Sequence, residues 1–148
     1  MDNMDIVFEK KIEEQVDFIE TLFGYMQPKL PLLVELTDDI INFGDAEIIY
    51  RFADQLDSYA KENNFDKGIV DALISKLCEA ILQMRSSKFI FMFGKRFANI
   101  PVDRFARRVL QLGHQKTIET FADYLDITVE EFEERFALPP ENPNEQSA

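Results

Sequence analysis

One cysteine, Cys78, is the only thiol in this chain of 148 residues. A lone cysteine excludes an internal disulfide framework and a multi-cysteine zinc site, and it suits a reducing, cytoplasmic compartment. Tryptophan is absent and His114 is the only histidine. Gln111 stands three residues before His114, so the Glu-x-x-His ligand pair of carboxylate-bridged metal bundles is missing. There is no glycine-rich phosphate loop and no Gly-x-Ser-x-Gly elbow. No cofactor and no metal are expected, and a non-enzymatic role follows. No apolar run approaches the roughly 18 residues of a membrane span, and no basic stretch leads into an apolar one near Met1.

Glycine and proline are also scarce, at 5 and 6 residues, and three of the prolines fall in the last ten positions. So few turn signals favour a handful of long elements over many short strands. Against these absences, 46% of the chain is apolar and 14 residues are phenylalanine. Each Phe that is buried stabilises the fold by roughly 2 kcal/mol, so a Phe-rich core is the first expectation.

Apolar residues recur at helical spacing almost throughout. Phe8, Ile12, Val16, Ile19, Phe23 and Met26 line one face of a first helix over about 4–26, with Glu9, Glu13, Glu14, Asp17 and Glu20 on the other. Pro28 and Pro31 separate it from a second helix over 31–43. Gly44 suits a left-handed helix end, and Asp45 can cap a third helix that runs to about Ala60. Asp66 can cap a fourth, over 67–84, with Val70, Leu73, Ile74, Leu77, Cys78, Ile81 and Leu82 inward. In that stripe the Cys78 thiol should be inert.

Residues 85–87 interrupt or bend the pattern. Phe89-Ile90-Phe91-Met92-Phe93 has the composition of a buried strand, yet no second strand-like run exists to pair with it. A short central helix to about Ala98 is therefore the better reading. Pro101 opens a sixth helix that stops before Gly113. A seventh covers 117–125. Thr128 with Glu131 three residues on forms a capping box for an eighth, to Phe136. The fold class is thus all-α: a compact bundle of about seven to eight helices in a single domain over 1–138. Residues 139–148, Pro-rich and apolar-poor, read as a disordered tail.

The net charge of −12 is unevenly spread. Residues 1–84 carry 18 acidic and 7 basic groups, and residues 117–148 carry 9 acidic groups and Arg135. Between them, residues 85–116 hold 8 basic groups and only Asp103. Arg104, Arg107, Arg108 and Gln111 fall at i, i+3, i+4 and i+7 and share a helix face, with Phe105, Val109 and Leu112 opposite. Lys95 and Arg96 precede this stripe, and His114 and Lys116 follow it. Guanidinium groups grip carboxylate or phosphate through two parallel bonds, so Lys95, Arg96, Arg104, Arg107 and Arg108 form the candidate site for an acidic partner or anion. Pairing with Glu130, Glu131, Glu133 and Glu134 of the eighth helix would use the same groups internally. Neighbouring carboxylates such as Glu13-Glu14 and Asp38-Asp39 point apart and read as solvated faces, not acid–base couples.

Two stretches resemble known helical modules. Leu33-Val34-Glu35-Leu36, Phe43-Gly44-Asp45-Ala46-Glu47-Ile48, Ala53-Asp54-Gln55-Leu56 and the run from Ile69 to Leu82 resemble the helical tail appended to bacterial receiver and histidine-kinase signalling proteins. That resemblance implies a helical signalling module and transfers no site residue. Residues 117–136 resemble the helix-turn-helix end of phage-repressor-like domains, with Ala122, Leu125, Ile127 and Val129 at its small and apolar positions. Asp126 replaces the usual turn glycine, and the reading helix would be Glu130-Glu131-Phe132-Glu133-Glu134-Arg135, of the wrong sign for phosphate.

The functional expectation is an intracellular protein-interaction or regulatory domain that docks a protein partner through an apolar groove of spare Phe side chains and the arginine stripe. The alternative is a nucleic-acid-associated regulator using the 117–136 hairpin and the basic band 85–116, although the net charge opposes that approach. A third is an acidic decoy for a basic partner. No membrane association is expected, and a homodimer is compatible with a Phe-rich bundle.

Overall fold

The computed structural model describes the backbone of residues 3–137 and the side chains of 11–137. The expected tail over 139–148 and the predicted inward position of Phe8 lie outside those limits. The described residues form eight α-helices and no strand. They divide into two compact units, parting between Met84 and Arg85.

The first unit holds α1 (Asn3–Thr21), α2 (Leu30–Phe43), α3 (Ala46–Glu62) and α4 (Lys67–Leu82). α1 does not run on to Met26 as one α-helix. It passes into a π-helical turn over Leu22–Met26, which Gln27 closes in the left-handed region at φ 48°. Pro31 sits in the first turn of α2, where a missing N–H costs nothing, and Gly44 ends the helix at φ 79°. Asp45 then accepts the Ile48 N–H at 3.0 Å, and Asp66 accepts that of Ile69 at 3.2 Å, so both expected caps form. α3 is the hub, packing on α1, α2 and α4. Its inward residues Ile48, Ile49, Phe52, Ala53 and Leu56 are buried, as are Leu33 and Ile40 of α2 and Leu73, Ile74, Leu77 and Ile81 of α4, giving a mainly aliphatic core. Tyr59 donates its hydroxyl to the Pro28 carbonyl at 2.8 Å and fastens α3 to the 27–29 connection.

The second unit holds α5 (Ser87–Arg96), α6 (Val102–Leu112), α7 (Gln115–Tyr124) and α8 (Val129–Phe136). The ambiguous Phe-rich stretch is helical, as the lack of a pairing strand required. Here the core is aromatic. Phe93, Phe97, Phe105, Phe121, Phe132 and Phe136 are buried, and ring centroids of Phe121–Phe132 and Phe132–Phe136 lie 5.5 and 4.9 Å apart. α5 and α6 pack most closely, because Gly94 has no Cβ: one placed there would stand 2.9 Å from the Phe105 Cβ. Gly113 ends α6 at φ 75°, and Thr128 caps α8 by accepting the Glu131 N–H at 3.1 Å.

Candidate interaction site

α6 is sharply two-sided. Phe105, Ala106 and Val109 are fully buried, while Arg104 and Gln111 are exposed and Arg107 and Arg108 flank them half-buried. The predicted face therefore exists, with Arg104 and Gln111 along its crest. Leu112, expected opposite the stripe, is half-buried. Arg108 reaches along the same face and donates from Nη1 to Gln111 Oε1 at 3.4 Å. Arg104 and Arg108 also engage neighbours within the protein, as does Arg96. The Nε of Arg107, like that of Arg108, is enclosed and has no hydrogen-bond partner among the described residues.

Lys95 and Arg96 are the last two residues of α5, where cations suit the negative end of the helix dipole. Arg96 stacks its guanidinium 4.8 Å from the Phe97 ring centroid. Lys95 stands over two rings at once, with Nζ 5.9 Å from the centroid of Phe91 and 5.8 Å from that of Tyr124 on α7. It makes no ion pair among the described residues. α5 contains no acidic residue, and Asp103 is the one acidic residue in α6.

The phenylalanines bear differently on docking. No described Phe is among the exposed residues; Phe89 and Phe91 are half-buried and the exposed large apolar side chains are Tyr25, Met26, Leu32, Val34, Ile69 and Tyr124. An apolar contribution next to the basic band would draw on Phe91 and Tyr124.

Two further groupings were not legible in the sequence. Ser87, buried at the first position of α5, places its Oγ 2.7 Å from His114 Nδ1 and 3.0 Å from Thr117 Oγ1. Its signal was only a serine at a helix start, which is common. Tyr124 was hidden because helical spacing places it beside buried Phe121, yet it stays 46% exposed and meets Phe91 edge-on at 5.8 Å.

Other candidate chemistry is weaker. Burial, and secondarily the Glu79 carboxylate, pushes the Cys78 thiol from an ordinary 9.0 up to about 12, so it is no nucleophile. Among the described residues no three His, Cys, Asp or Glu side chains gather closely enough to hold a metal ion. A cavity of about 250 Å³ beside the turn joining α3 to α4 is lined by Asp57, Lys61, Phe65 and Asp71, but Lys61 already pairs with Asp57 at 3.1 Å. No described helix is long and apolar enough to cross a membrane. The chain matches no protein-family model, no curated protein and no solved structure.

Proposed function

We propose that the chain is a non-enzymatic, cytoplasmic interaction domain with a regulatory role, and that it docks an acidic protein partner through the arginine face of α6. The observation that carries this reading is Arg107. Arg107 is half-buried, and its enclosed Nε has no acceptor among the described residues. A guanidinium presented in this way is partly desolvated beforehand and gains most from a two-pronged carboxylate. Arg104 and Arg108 continue the same face and set its polarity, and Lys95 adds a further cation at the end of α5. Phe91 and Tyr124 supply the apolar part of the contact.

The test is charge reversal. Arg107→Glu combined with Arg108→Glu should abolish crosslinking of the native partner while leaving the helical circular dichroism unchanged. Collapse of the helical signal would assign the arginines to internal support and sink the proposal. The duplex-DNA alternative draws less support. Glu130, Glu131, Glu133 and Glu134 are all exposed on α8, the helix that would enter the groove, and they would repel phosphate.

A further inference from the structure

The seam between α5 and α7 carries a second feature, distinct from the arginine face. Lys88, Phe91, Met92 and Lys95 recur at i, i+3, i+4 and i+7 along α5. Lys88 and Lys95 are exposed, Phe91 and Met92 half-buried. Seven residues of helix set the two lysines about 10 Å apart along the axis. α7 lies alongside in parallel. Ser87 meets Thr117 near the starts of the two helices, and Phe91 meets Phe121 and Tyr124 further along. The exposed ring of Tyr124 thus sits beside Phe91, with the Lys95 ammonium close to both.

Lys88 and Lys95 make no ion pair among the described residues, and no carboxylate belongs to α5. On α7 the acidic residues Glu119 and Asp123 are also exposed, but Asp123 projects about 100° round the helix from Tyr124. The result is a strip with cations at its two ends and a pair of aromatic side chains between them. A single-stranded nucleic acid uses both, because its phosphates pair with ammonium groups and its unstacked bases lie on aromatic side chains whatever their sequence.

We propose that the α5–α7 seam binds single-stranded nucleic acid, with the exposed Tyr124 ring as the base-stacking surface, Phe91 bracing it edge-on, and Lys88 and Lys95 as phosphate contacts. This surface shares Lys95, Phe91 and Tyr124 with the protein-docking reading above but uses none of the α6 arginines. Base stacking calls for a partly exposed ring held rigidly, and the edge-on packing of Tyr124 against Phe91 and Phe121 provides it. The local charge differs in sign from the average: over α5 and α7, Lys88, Lys95, Arg96 and Lys116 outnumber Glu119 and Asp123.

The test uses the full chain and a fluorescently labelled oligothymidylate of about 15 nucleotides, a length suited to such sites. Binding is read by anisotropy at low salt and again as salt is raised, with polyglutamate as competitor. The expected result is binding that weakens with salt, is about tenfold weaker in Tyr124→Ala, and is retained in Tyr124→Phe, which keeps the ring. Lys95→Gln should also weaken it, while Arg107→Glu should not. Circular dichroism reports whether each variant is folded, and the Phe and Gln variants decide the matter should Tyr124→Ala unfold. Absence of binding at low salt overturns the proposal. So does displacement by polyglutamate with no effect at Tyr124, which would make the seam an acidic-protein contact. Equal loss in Arg107→Glu would overturn it too, moving the nucleic acid to α6.

Discussion

The Ser87 hydroxyl lies 2.7 Å from His114 Nδ1, joining the start of α5 to the start of α7 across 27 residues of sequence. Thr117 closes the group at 3.0 Å from the same oxygen. Ser87 is buried, so its hydroxyl depends on these partners. Ser87→Ala should lower stability by about 1 kcal/mol, seen as a lower urea midpoint at unchanged slope. Thr117→Val should cost a similar amount. Because the two hydroxyls share one bond, the double variant should lose less than the two singles together, and strict additivity would count against the network.

Gly94 should resist substitution for steric reasons. A methyl group there would stand 2.9 Å from the Phe105 Cβ and 3.0 Å from Cγ, closer than packed carbon atoms come. Phe105 is fully buried and has little room to retreat. Gly94→Ala should therefore destabilise by about 1–3 kcal/mol although alanine is the better helix former. Thermal unfolding measures the loss; an increase in melting temperature would contradict the close approach of α5 and α6.

Cys78 sets an alkaline limit. Its folded pKa, about 12, lies above the ordinary 9.0, so the native state keeps a proton that the unfolded chain gives up. The sign is fixed by linkage: stability is unaffected below about pH 9 and falls as pH rises from there toward 12. Cys78→Ala should flatten that decline, although the lost sulfur lowers stability at neutral pH. Maleimide at neutral pH should label Cys78 only when denaturant is present, and fast labelling of the native protein would refute the burial.

Asp126 occupies the left-handed region at φ 60°, in the turn that joins α7 to α8. An L-residue is strained there, and aspartate tolerates it better than most. Asp126→Gly should raise stability by roughly 0.5–1 kcal/mol, with a higher melting temperature. A fall would mean that the carboxylate is held by a contact worth more than the strain.

Much of the backbone plan could be read directly because its signals are local. Asp45, Asp66 and Thr128 cap the helices they were expected to cap, and Gly44 takes the left-handed end expected of it, as Gly113 does after α6. The helical state of the Phe89–Phe93 run followed from the lack of a partner strand, a non-local argument that the composition alone would have reversed. The π-helical turn at Leu22–Met26 carried no such mark, because its apolar spacing continues that of α1. The arginine face was legible for the same reason as the helices: it is a period of 3.6 in charge. The Tyr124–Lys95–Phe91 contact was not, since it joins α7 to α5 and no periodicity within either helix announces the other.

The bare Cα of Gly94 lets α5 seat directly on the Phe105 side chain. Charges from different helices, Lys95 on one and Arg104 on the other, are consequently mounted on a single stiff platform. A ligand that bridged them would find its contacts already spaced and would have little motion to freeze out on arrival. Its capture would then be governed by encounter and long-range attraction, with no rearrangement of the receiving surface to wait for.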